Sequence, residues 1–123
     1  MHEFSAMNQV VETVQREAER RGAKAVAEVR LTIGKLTMLS PVQMRFAYEL
    51  LVKNTPLEGS DLVIREQDAA VKCPSCGYNG PMTVEEDPIY HIAFPTLSCP
   101  RCQEVVEVVA GRECTVESVK LLL

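Results

Sequence analysis

The sequence predicts an α+β fold, a three-stranded mixed sheet packed against two helices, with a small module inserted before the last strand. Three observations carry that prediction. Two stretches repeat apolar residues at steps of three and four. Three others place them at strand spacing. Two C-x2-C turns, Cys73-Pro74-Ser75-Cys76 and Cys99-Pro100-Arg101-Cys102, fall between the second and third of those strands. At 123 residues the chain has room for one ordinary domain, or for a small domain plus a metal-held module. The expected division sets 1-69 and 111-123 against an insert at 70-110.

The first helix begins almost at residue 1, with Phe4, Met7, Val11, Val14 and Ala18 as its apolar stripe. Arg20-Arg21-Gly22 closes it: cations suit the negative end of the helix dipole, and Gly turns left-handed without strain. From Glu28 to Ile33 the pattern alternates, Val29, Leu31 and Ile33 against Glu28, Arg30 and Thr32, which is a half-buried strand. Ser40-Pro41 reads as an N-cap and a first helical residue. Phe46, Ala47, Leu50 and Leu51 are then the expected inner face of the second helix, which must stop before Pro56. Leu62 and Ile64 mark the second strand. The third lies between Gly111 and Leu123, where Val116 and the set Val119, Leu121 and Leu123 differ in parity. A bulge near Ser118 reconciles them.

Each C-x2-C turn places two sulfurs within reach of one ion, and two such turns complete a tetrahedral four-thiolate shell. Cys73, Cys76, Cys99 and Cys102 therefore read as a zinc-ribbon site, with a rubredoxin-like iron site as the related alternative. Disulfides are disfavoured, because no signal peptide precedes the chain and reducing compartments keep thiols free. A closed Zn(II) shell has no open position for water or substrate, so it is structural. The fifth cysteine, Cys114, stands among apolar residues and reads as a small core residue.

Composition narrows the function classes. The net charge is −4, and residues 70–110 carry Lys72 and Arg101 against Glu85, Glu86, Asp87, Glu104 and Glu107. That balance argues against a grip on nucleic acid. Glu85-Glu86-Asp87 reads as a solvated acidic patch. No apolar run is long enough to span a membrane, so the chain is expected to be soluble and cytoplasmic. A metallo-hydrolase would need an open three-ligand site, which two histidines and a closed four-cysteine set do not supply. No nucleophile elbow or phosphate loop is present either, and the chain is read as no enzyme.

The remaining chemistry lies at Met1-His2-Glu3. A free α-amine, the His2 amide nitrogen and the His2 imidazole can close a five-membered and a six-membered chelate ring around one ion. Strong-field nitrogen ligands in a plane suit Ni(II) or Cu(II). An ordinary exposed histidine is the bland alternative. His91 is the other histidine, between the cysteine pairs, and can be a surface residue or a further ligand.

Taken together, the Met-His-Glu opening, Ile33-Gly34-Lys35-Leu36, Phe46-Ala47, the two C-x2-C turns and Gly111-Arg112-Glu113-x-Thr115-Val116-x-Ser118-Val119 resemble the HypA/HybF family. These are nickel metallochaperones for nickel–iron hydrogenase maturation, and the resemblance runs over essentially the whole chain. It implies that His2 is the principal nickel ligand, beside backbone nitrogens of the N-terminal residues, with Glu3 tuning the site. It implies Zn(II) at the four cysteines. The nickel-handling GTPase HypB and a hydrogenase large-subunit precursor are the implied partners, and the chain is expected as a monomer or weak homodimer. Two features depart from the family pattern. Cys114 replaces an aliphatic residue, and the spacer from Cys76 to Cys99 is long. Archaeal members share that long spacer, and in them a loop histidine can join the nickel shell, which makes His91 a candidate ligand. A zinc-ribbon protein-interaction module without a nickel role is the alternative function.

Overall fold

The structure, a computed structural model, describes residues 2–81, 84–87, 92–95 and 98–123, with 84–87 and 92–95 described by their backbone. Helix α1 spans Glu3–Arg20 and buries Ala6, Met7, Val10, Val11, Val14 and Ala18. Phe4 is not part of that face: it lies in the first turn and is 42% exposed, because helical spacing continues to a helix end whether or not a neighbour covers it. The far end closes as expected. Gly22 takes φ +65, its N–H donates to the Glu19 carbonyl at 3.1 Å, and the Ala23 N–H donates to Ala18 at 2.9 Å. Those two bonds satisfy carbonyls that the last turn would otherwise leave unpaired.

Strand β1 (Ala25–Gly34) is the centre of the main sheet, parallel to β2 (Asp61–Gln67) and antiparallel to β8 (Cys114–Leu122). Val26, Val29, Leu31 and Ile33 turn into the core. Thr32, expected on the outer side, is buried with its Oγ1 unpartnered, because a central strand has neighbours on both flanks, here Arg65 and Thr115. The pairing of β8 slips between Ser118 and Val116, which leaves Glu117 as the extra residue of a bulge. Val116 and Val119 can therefore both pack against the core despite their odd separation.

Between β1 and β2, a 3-10 turn (Lys35–Thr37) leads to α2 (Pro41–Leu51). Ser40 caps α2 by accepting the Gln43 N–H at 3.3 Å, and Pro41 opens the helix. Its inner face differs from the expected one. Met44, Ala47 and Tyr48 are buried, while Val42, Phe46 and Leu50 are exposed. This short helix carries apolar residues on two sides, and Tyr48 goes inward because its hydroxyl finds Ser60 Oγ there. Among the described residues, no helix is long and apolar enough to cross a membrane.

The segment carrying the cysteines forms a second sheet, β4–β3–β7, from Ala70–Lys72 (β3), Asn79–Pro81 (β4) and Glu107–Ala110 (β7). Val84–Asp87 (β5) and Ile92–Pro95 (β6) pair as an antiparallel hairpin. A small cluster of Ala69, Val71, Cys73, Cys99 and Val106 packs with Tyr78, Val108 and, from the main sheet's side, Leu36. The two sheets join where Gly34 meets Gly111. A Cβ on Gly34 would lie 2.1 Å from the Gly111 carbonyl carbon. The Leu36 N–H donates to Gly111 at 2.8 Å and the Gly34 N–H donates to Glu113 at 2.7 Å. Gly111 adopts φ +112, and a Cβ there would sit 2.9 Å from the Ala69 Cα. Glycine is needed at both positions.

Candidate metal centres

The four cysteines converge. Each offers a sulfur, and the four atoms lie within 4.8 Å of one another. Cys73 and Cys102 are 3.6 Å apart, as are Cys76 and Cys99. A tetrahedral shell with metal–sulfur bonds of about 2.3 Å has edges of about 3.8 Å, so the spacing fits one ion. No two of the sulfurs are bonded to each other, an arrangement that suits a shared ion rather than disulfides.

Two turns of the same design position them. In the first, the Cys73 N–H donates to Tyr78 at 2.7 Å and the Gly77 N–H returns to Cys73 at 3.0 Å. In the second, the Cys99 N–H donates to Glu104 at 2.8 Å and the Gln103 N–H returns to Cys99 at 2.9 Å. Both need a left-handed residue four places after the first cysteine, Gly77 at φ +79 and Gln103 at φ +65. Glycine after the first pair signals this turn in the sequence, whereas at Gln103 the only signal is its equal offset from Cys99. The turns also aim N–H groups at sulfur, as Arg101 does toward Cys99 at 3.3 Å.

Those donors shape the thiols. For Cys99, burial opposes the anion, yet the Cys102 and Arg101 N–H groups outweigh it and bring the thiol down to about 6. Cys73 is lowered as well, first by the Cys76 N–H. Cys102 receives help from the Glu104 N–H, but burial and the three other sulfurs push it up to about 12. Four sulfurs in one small volume cannot all be anionic without a cation among them. Soft thiolates select zinc or iron over calcium or magnesium. Cys114 stands apart in β8, half-buried against the main core, and its burial pushes the thiol up, the opposite of an activated nucleophile.

In the N-terminal segment, His2 is the N-cap of α1. Its Nδ1 accepts the Phe4 N–H at 3.1 Å, and its carbonyl accepts the Ala6 N–H at 3.0 Å. The cap was not readable, since the favoured capping residues are Ser, Thr, Asp and Asn. Glu3 follows as the first helical residue. Its Oε2 accepts the Ser40 N–H at 3.2 Å, which ties the start of α1 to the cap of α2 and lowers the Glu3 carboxyl below its ordinary range. His2 is exposed and Glu3 half-exposed. Met1 and His91, the other residues considered for this site, lie outside the described residues, as do the side chains of Glu85, Glu86 and Asp87. Clefts between α1 and β8 and on the open face of the sheet include neither His2 nor the four cysteines.

Comparison with known proteins agrees with this layout. Residues 1–121 match the family model described as hydrogenase/urease nickel incorporation, metallochaperone, hypA. The chain is 39% identical to the hydrogenase maturation factor HypA of Methanopyrus kandleri over 98% of its length and 93% of the relative's. It is also 39% identical to that of Methanothermobacter thermautotrophicus, over 98% and 97%. The fold is similar to the solution structure of the Ni metallochaperone HypA from Helicobacter pylori, with a TM-score of 0.67 and 18% identity over 99% of this chain and 98% of that one.

Proposed function

The chain belongs to the HypA family of nickel-incorporation metallochaperones, and from that membership we propose that it binds Ni(II) at residues 1–3 and hands it on for hydrogenase maturation. His2 is the principal ligand, through its imidazole and its own main-chain nitrogen. Where Met1 carries a free α-amine, that amine closes the second chelate ring. Glu3 does not need to bind the ion to matter. Its carboxylate fixes the first turn of α1 against Ser40 and so holds the site in a defined place. His91 is a further ligand if the long spacer folds back toward residue 2.

The supporting observation is the position of His2. It sits exposed at the head of an ordered helix, tied down on one side, with no other histidine among the described residues. A delivery protein needs such a site, since a closed shell would not release its cargo. The cysteine cluster is the contrast: closed, partly buried and suited to a resident Zn(II) that holds residues 70–110 together. The chain acts as a carrier and not as an enzyme, in the cytoplasm, as a monomer or weak homodimer. The donor is the GTPase HypB and the receiver a hydrogenase large-subunit precursor; the names of the two archaeal relatives favour hydrogenase over urease.

His2→Ala tests this. It should weaken nickel binding by more than about a hundredfold, beyond the roughly ten- to hundredfold that loss of a group supporting a ligand commonly gives. Zinc content should stay as it is, because His2 belongs to neither core, and the thermal midpoint should fall only by the few degrees that a lost helix cap costs. Nickel bound as tightly by the variant would reject the N-terminal site and leave the interaction-module reading.

A further inference from the structure

We propose that nickel capture and the capping of α1 compete for one atom, so that loading the metal opens the first turn of the helix. The inference rests on the nickel reading above. In the metal-free chain, the Nδ1 lone pair of His2 is used on the Phe4 N–H at 3.1 Å. That bond satisfies one of the donors that every helix start leaves unpaired. A six-membered chelate ring through the main-chain nitrogen of His2 can close only at Nδ1, because Nε2 lies on the far side of the imidazole. A lone pair shared with a metal is no longer free to accept a hydrogen bond. The cap must be given up before the ring can close.

The consequence reaches beyond His2. Glu3 is the first residue of α1, and its carboxylate holds the Ser40 N–H, the cap residue of α2. Its reach depends on the first turn staying wound. When that turn opens, the Glu3–Ser40 bridge opens with it, and the surface at exposed Phe4 changes. Empty and loaded chains thus present different faces where metal is exchanged. Restoring the cap also favours release, since the helix recovers a bonded donor as the ion leaves.

Hydrogen-exchange mass spectrometry at millisecond labelling times tests this on the zinc-loaded chain, with and without one equivalent of nickel. Bound nickel is measured on the same samples. Nickel should accelerate exchange in the peptides holding Phe4 and Ser40 by about tenfold, the scale of a lost N-cap. His2→Asn keeps a capping oxygen without the imidazole, so its peptides should exchange slowly with or without nickel. His2→Ala should exchange fast in both conditions. Bound nickel with unchanged or slower exchange at Phe4 overturns this inference and leaves the nickel site standing. A parent chain that binds no nickel overturns both.

Discussion

Gly77 and Gln103 occupy the same place in the two cysteine turns, yet only one of them is a glycine. A left-handed backbone suits Gly77 and strains Gln103, whose Cβ crowds the following carbonyl. Gln103→Gly should therefore stabilise the metal-bound chain by about 0.5–1 kcal/mol, less the entropy that glycine adds to the unfolded chain. Chemical denaturation of the metal-loaded proteins measures it, and a loss of stability would contradict the strain. At this scale the sequence is readable wherever the chemistry is local. The cysteine pairs announce themselves because two sulfurs three positions apart are one ligand pair. The position of His2 suggested a ligand, but not its second use as a cap, because that depends on where the helix starts. The Glu3–Ser40 bond spans 37 residues and had no local trace.

Elements were read well where one apolar pattern has one explanation. The bulge of β8 follows from a change of parity that a regular strand cannot absorb, and the end of α1 follows from Arg-Arg-Gly. For helix α2 the expected face held at Ala47 and Leu51 and failed at Phe46 and Leu50, because Val42, Phe46 and Leu50 form a second apolar row, and periodicity does not say which row is covered. The correction has a direct consequence. Met44→Ala should cost about 2–5 kcal/mol, since it empties a fully buried site. Phe46→Ser, at a residue 60% exposed, should stay within about 0.5 kcal/mol. Equal losses in paired denaturation curves would contradict the observed face.

At the scale of the whole molecule, the two three-stranded sheets of the described residues meet at one junction. Ile33-Gly34-Lys35-Leu36 and Gly111-Arg112-Glu113 stood out in the sequence only as family-like segments. The fold supplies their physical reason, because the two backbones cross in contact at Gly34 and Gly111. Gly34→Ala should destabilise the chain by about 3 kcal/mol or more, since backbone cannot move aside as a side chain does. Thermal unfolding of the variant checks it, and an unchanged midpoint would contradict the contact. The cysteine cluster is closed and partly buried whereas His2 is exposed, which is why we assign a resident metal to one and a transferable metal to the other. Equilibrium dialysis of the untagged chain against nickel and zinc together measures that division most directly. One nickel beside one zinc per chain, with nickel alone lost in His2→Ala, is the expected result. Zinc alone in the parent chain, or nickel that leaves only when the cysteines are replaced, would contradict it.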